Sequence, residues 1–166
     1  MSDFVVYPHA ALSSKADPRP VDAQMVEAGE RLLAAAEAVQ AYGLAAAHLG
    51  LDEPLVVISV APASEPRDYR VLYNPEVSQL AGGSEMGMEG SVSLPGIEVP
   101  LPRAVWAEVQ FDDADGKRQT RRFEGFVARV VQHEIDQMNG IFFLQRLSRL
   151  KRDTALRKFA KLGQRG

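Results

Sequence analysis

The sequence contains no cysteine, and that absence removes disulfides, thiolate metal ligands and thiol nucleophiles from every reading that follows. Long apolar runs are missing too. No stretch approaches the ~20 consecutive residues needed to cross a bilayer, so no membrane partner is expected. The opening segment Met1–Pro8 lacks a cationic start followed by an apolar run, so no secretory signal is read there and the cytoplasm is the expected compartment. No internal repeat and no second domain are visible either.

What is present is ordinary for a globular protein: 166 residues, 46% hydrophobic and 25% charged. The length fits one domain, 1–166, with a real core. Charge is spread unevenly. Within a net charge of −3, the segment Gln145–Gly166 carries Arg146, Arg149, Lys151, Arg152, Arg157, Lys158, Lys161 and Arg165 against the single acid Asp153. Leu147, Leu150, Leu156, Phe159 and Ala160 recur near helical spacing, so this tail reads as a basic amphipathic helix. Its expected place is docked on the body, with Leu150, Leu156 and Phe159 inward. The sharper reading is a contact to an acidic partner such as RNA or the ribosome, where Lys and Arg neutralise phosphates.

The remaining pattern gives a coarse fold. Residues Met1–Pro20, with three prolines, read as an extended arm. Asp22 is a plausible N-cap for a helix from Ala23 to about Tyr42, with Gly43 just past its end. Pro54–Val60 is a short apolar strand expected to be buried on both faces, and Tyr69–Tyr73 a second strand. Gln79–Gly90, rich in glycine and polar residues, is expected to be irregular. Val105–Phe111 alternates, Asp115 and Gly116 signal a hairpin, and Arg118–Phe123 returns. A helix follows from about Gly125 to Asn139, stopped by Gly140. Strands and helices are segregated, so the expected class is α+β. Mainly antiparallel sheets would pack around a central motif-bearing helix, flanked by an N-terminal and a C-terminal amphipathic helix.

That central helix carries the chemistry. Phe126, Val127, Val130, Val131, Ile135 and Met138 cover most of its circumference, yet His133, Glu134 and Gln137 sit among them. Buried polar side chains need partners, since each one left unpaired costs roughly 1–3 kcal/mol. A His-Glu-x-x-His helix meets that need with a metal, its two imidazoles at i and i+4 binding it and its Glu acting as general base. Here the fifth position is Gln137, so spacing alone leaves a structural histidine as the plainer reading.

Three segments in order point further. Gln132–Gly140 resembles the third motif of the peptide deformylases, apart from Gln137. Gly43–Gly50 resembles their first, with His48 replacing a glutamine, and Glu89–Ser93 their second, with Ser91 replacing a cysteine. Smaller echoes are Asn74-Pro75-Glu76, Leu101-Pro102-Arg103 and Phe123-Glu124-Gly125-Phe126. The resemblance implies a hydrolase, dependent on a divalent metal (iron or zinc), that removes the formyl group from the N-terminal methionine of new bacterial proteins. By position it implies Ser91, His133 and Gln137 as metal ligands and Glu134 as general base and acid. The N–H of Val92 and the side chain of His48 would bind the formyl oxygen. Tyr42, Gly43, Gly90, Phe126 and Val130 would line the methionine pocket, and Glu89 would pair with Arg103.

Of the three implied ligands only His133 is a strong donor for such metals. Metal is therefore expected to be absent or weakly bound, and standard turnover absent or much reduced. A metal lowers its bound water's pKa from 15.7 to about 7, whereas general-base help is worth about 10²–10⁴-fold. His48 leaves an alternative open, a rewired amidase using His48, His133 and Glu134. Against it stands the simpler reading that His48 fills the glutamine's place and bonds to Glu134 or Ser91. A third reading is a non-catalytic nascent-peptide or ribosome-binding protein.

Overall fold

The computed structural model describes residues 3–165; Met1, Ser2 and Gly166, the ends of the expected arm and tail, lie outside them. Helix α1, Ala23–Val39, begins as read: the Asp22 carboxylate accepts the Met25 N–H at 2.8 Å, satisfying a donor that the first turn leaves free. It ends short of Tyr42, because Gln40 takes the left-handed conformation at φ 53° and closes it. Gly43 is no helix stop. It opens strand β1, Gly43–Ala45, where a Cβ would lie 2.7 Å from Val130 Cγ1 and 3.0 Å from Glu134 Cγ. Its glycine is required by close approach to the next helix.

Strand β2, Leu55–Ser59, is buried at every position. Val56 and Ile58 pack with the motif helix, while Leu55 and Val57 pack with α1, so this strand has no solvent face and reads as an unbroken apolar run. Strand β3, Tyr69–Leu80, runs well past the expected Tyr73. Asn74 at φ 49° and register shifts between Tyr73 and Gln79 bend it without ending it. The bend is held by Asn74, whose amide accepts the Arg19 N–H and donates to Arg19 O and Asp112.

The stretch Gln79–Gly90 is not the irregular excursion its composition suggested. Strand β4, Ser84–Gly90, pairs residue for residue with strand β5, Glu98–Ala104. Pairing overrides the weak local preference. Gly87 is used because the Arg129 guanidinium lies 2.7 Å from where its Cβ would be. Strands β6, Trp106–Asp112, and β7, Arg118–Glu124, form the expected hairpin. Its turn is held by the Asp113 carboxylate, which accepts the N–H groups of Asp115 and Lys117.

The large sheet is antiparallel with strand order β1-β2-β3-β6-β7, and β4-β5 forms a separate ribbon. Helix α2, Gly125–Met138, lies against β1 and β2 and also touches β5; Gly140 follows it at φ 79°. The class is α+β, as read. The arm holds a short 3-10 turn, Ala10–Ser13. Helix α3, Arg149–Arg165, closes the chain. Ala155, Leu156, Phe159 and Leu162 pack with Leu94, Ile97, Phe142 and Phe143. Leu150 does not join them: it is 73% exposed, because five positions before Ala155 place it about 140° round the helix from the buried stripe. Ala160 is exposed as well. No helix among the described residues is long and apolar enough to cross a membrane.

Candidate functional site

Helix α2 and strands β1 and β4 meet at a cleft of about 540 Å³. α2 contributes Phe126, Arg129, Val130, His133 and Glu134, β1 contributes Gly43, and the end of β4 leads Gly90 into Ser91 and Val92. Tyr42 sits at the mouth, its ring edge-on to Phe126 with centroids 4.7 Å apart. The cleft thus collects every site residue read from the sequence except Gln137.

His48 comes from a 3-10 turn, Ala46–Leu49, and reaches back to its start, where Nδ1 accepts the Ala45 N–H at 2.9 Å. An N3 side chain capping its own turn is a local device, and here it fixes the tautomer: with Nδ1 accepting, Nε2 carries the proton. Burial, with His133 nearby, lowers the His48 pKa to about 3, so the ring stays neutral. Nε2 lies 3.5 Å from Ser91 Oγ, and Nδ1 lies 3.8 Å from Glu134 Oε1. The firm partner is therefore the backbone of Ala45. Ser91, His48 and Glu134 stand in the order of a nucleophile triad, but a base needs an unprotonated nitrogen facing the serine. The nitrogen facing Ser91 already holds a proton. That proton equally blocks metal ligation through Nε2.

Behind His133 lies a saturated ion network. Glu89 accepts Nδ1 of His133 at 2.7 Å, Arg103 through two nitrogens at 2.8 and 2.9 Å, and Arg129 at 2.7 Å. Arg103 also reaches Asp136 at 2.6 Å, and Asp136 is held by Arg146 through two contacts at 2.9 and 2.7 Å. Burial alone would raise the Glu89 carboxyl, but Arg103 and His133 bring it down to about 2. Burial likewise disfavours charge on His133, yet the carboxylates of Glu134 and Glu89 outweigh it and raise its pKa.

Glu134 has no such support. Its residue is 5% exposed and Oε1 has no hydrogen-bond partner among the described residues. Burial pushes its pKa up to about 7.

The donors at the family's metal positions are a poor match for iron or zinc. Ser91 Oγ accepts the Ser93 N–H at 3.1 Å, and a serine hydroxyl is a weak donor in any case. Gln137 is buried, does not line the cleft, and gives its amide N–H to Leu12 O at 2.7 Å, tying the N-terminal arm to α2. Among the described residues no group of three His, Cys, Asp or Glu side chains is placed to hold an ion. The residues present do not fit the three-ligand centre implied by the resemblance.

A family model described as polypeptide deformylase matches residues 1–153. The chain belongs to the polypeptide deformylase family. Family members are metal-dependent hydrolases that act on peptides in connection with translation. A peptide deformylase-like protein of Agrobacterium fabrum is 39% identical over 156 residues, 93% of each chain. A peptide deformylase of the same organism is 35% identical over 141 residues, 85% of this chain and 83% of that one. The crystal structure of peptide deformylase from Ehrlichia chaffeensis superposes with a TM-score of 0.89 at 28% identity, covering 97% of this chain and 96% of that one.

Sequence reasoning missed Arg129. It lines the cleft one turn before His133 and donates to Glu89, to Leu101 O and to Glu85 O. The signal was there, since i and i+4 share a helix face. Met88 and Glu98 at the rim were also not foreseen. A larger cleft, about 980 Å³, lies between the N-terminal arm, β3 and the far side of α2. It is lined by the outer face of the third motif, Gln132, Ile135, Asp136, Met138 and Asn139, but by neither His133 nor Glu134, and ion pairs there join Arg19 to Glu53, Arg118 to Asp112 and Arg146 to Asp136.

Proposed function

We propose that this family member holds peptide N-termini in the α2 cleft without the family's standard metal-driven hydrolysis. The observation that carries this reading is Gln137, whose amide is committed to Leu12 O outside the cleft. With Ser91 a poor donor as well, His133 remains the only strong ligand of the three family positions. Glu134 alone would have to activate ordinary water, which a base does about 10²–10⁴-fold and no more. The peptide-binding features are favourable in themselves. Nε2–H of His48 and N–H of Val92 are donors suited to a carbonyl oxygen, and Tyr42, Gly43, Gly90, Phe126 and Val130 form walls suited to a methionine side chain. The rewired alternative through His48 is disfavoured by its tautomer.

The test is metal content and formate release from formyl-methionyl peptides by protein purified without added metal. Less than a tenth of an equivalent of iron, zinc or nickel, with no formate above background, is expected. About one equivalent that disappears in His133→Ala, together with turnover, would overturn the reading.

A second reading concerns α3. Arg149, Lys151, Arg157, Lys158 and Lys161 are all exposed on it, which suits contact with ribosomal RNA phosphates. Affinity should then fall steeply with salt. Binding that ignores ionic strength would remove this reading.

A further inference from the structure

The larger cleft, between the N-terminal arm, β3 and the far side of α2, has a layered charge arrangement. Three of its ion pairs keep the acid inside and the cation outside. The Asp136 side chain is 14% exposed against 49% for Arg146, and Asp112 17% against 41% for Arg118; Glu53 is likewise more buried than Arg19. The inner carboxylates are saturated: Asp136 also accepts from Arg103, Asp112 from the Asn74 amide and Glu53 from the Gln24 amide. Lys15 adds an exposed side chain that takes part in none of the ion pairs among the described residues. Lys15, Arg19, Arg118 and Arg146 thus reach solvent along the cleft, against one exposed lining carboxylate, Glu76, 3.9 Å from Arg118. Below them the lining is apolar, with Ile135 and Met138 of α2 facing Pro75, Val77 and Ile141, and no aromatic ring lines the cleft.

We propose that this far cleft docks an extended segment of a partner protein in which acidic residues alternate with apolar ones. The exposed cations complement carboxylates, and their donors are not used up by the inner acids. Arg146 spends Nε and Nη2 on Asp136 and keeps Nη1, and the Lys15 ammonium offers three hydrogens. The acids beneath hold the guanidinium groups in place, so less side-chain freedom is lost on binding. Successive side chains of an extended chain point to opposite sides, which sends carboxylates to the cations and apolar groups to the floor. A single-stranded nucleic acid fits less well, because the cleft offers its bases no ring to stack on. The volume of about 980 Å³ lies at the upper end of small-ligand pockets, roughly 300–1,000 Å³, which suits several residues of a chain. Neither His133 nor Glu134 lines this cleft, so the proposal stands apart from the reading of the motif cleft.

The experiment is fluorescence anisotropy on the full chain with a C-terminally labelled octapeptide of alternating aspartate and leucine. Its N-terminus is acetylated, so that it presents no free α-amino group to the motif cleft. At low salt the wild type should bind it with a Kd of about 100 μM or tighter. The same peptide with asparagine for aspartate should bind at least ~10-fold more weakly. Lys15→Glu and Arg146→Gln should each weaken binding by ~5-fold or more, whereas Lys158→Glu on α3 should leave it within ~2-fold. The asparagine comparison needs no variant, and reversing Lys15 breaks no ion pair among the described residues. A Kd weaker than ~1 mM, equal binding of the asparagine peptide, or affinity unchanged in Lys15→Glu overturns the proposal. A loss in Lys158→Glu as large as in Lys15→Glu puts the peptide on α3 and overturns the cleft assignment. Tighter binding of an oligouridylate of equal charge, with the same sensitivity to Lys15→Glu, overturns the choice of a peptide as occupant.

Discussion

His133 divides its surroundings into two unlike halves. On the Nδ1 side, Glu89, Arg103, Asp136, Arg129 and Arg146 form a chain in which every carboxylate meets guanidinium groups. On the cleft side, Ser91 is a weak donor and Glu134 Oε1 has no hydrogen-bond partner among the described residues, while Gln137 is turned away to Leu12 O. The first half satisfies itself and orients the imidazole with or without a metal. The second leaves Glu134 to meet its burial by holding its proton up to about pH 7. The paired half is held in place whatever occupies the cleft, because removing one partner would strand the other charges in a buried site.

The sharpest way to break that contrast is to open the satisfied half. Glu89→Ala leaves Arg103, Arg129 and His133 without their shared acceptor and should cost about 3–5 kcal/mol, read by urea unfolding. A loss below about 1 kcal/mol would show the network to be ornamental. The pH dependence has a definite sign: the folded value of Glu89, about 2, lies below the ordinary 4.5. Its contribution is full above pH 4.5 and is lost as pH falls through 2, so the gap between wild type and Glu89→Gln should narrow over that window.

The opposite move rebuilds the other half. Ser91→Cys with Gln137→His should supply a thiolate and a second imidazole one turn from His133. Metal affinity should rise by at least about 100-fold over either single change, since three strong ligands make a site and two do not. The histidine gives up the bond to Leu12 O, so some stability should be lost. Formate release should follow metal uptake, most fully with His48→Gln added. A double variant that takes up no metal would mean the arm holds position 137 away from the cleft whatever residue stands there.

Glu134→Gln should change stability by about 1–3 kcal/mol, the scale of one buried unsatisfied group. The folded pKa of Glu134, about 7, lies above its unfolded value. The wild type should therefore lose stability as pH rises from 4.5 to 7, and the variant should be the more stable at pH 8 and no more stable at pH 4. Urea midpoints at the two pH values decide it. The smallest effect belongs to the tail. Leu150→Ala should stay within about 0.5 kcal/mol, whereas Phe159→Ala, in the packed stripe, should cost more; the reverse order in thermal unfolding would put Leu150 back against the body.

Much of the architecture was legible because its signals are local. The Asp22 cap, the apolar run of β2, the Asp115-Gly116 turn and the Gly140 stop each follow from a few adjacent residues. What failed was long range. The composition of Gln79–Gly90 says loop, and only pairing with β5, with Arg129 laid over Gly87, makes it a strand. Gly43 looked like a helix stop because its neighbour in space, Val130, is far away in sequence.

The same division holds at the site. Motif order and spacing by themselves determined the family, the helix that carries His133 and Glu134, and the substitutions at 48, 91 and 137, because these are matters of residue identity along the chain. The direction of the Gln137 amide, the tautomer of His48 and the isolation of Glu134 were decided only by tertiary structure. Each depends on a partner brought from elsewhere or on its absence: Leu12 carbonyl for Gln137, a backbone N–H presented by a tight turn for His48, and for Glu134 cations already claimed by Glu89 and Asp136. A hydrogen bond is a relation between two atoms in space, and the sequence names the atoms without saying which of them meet.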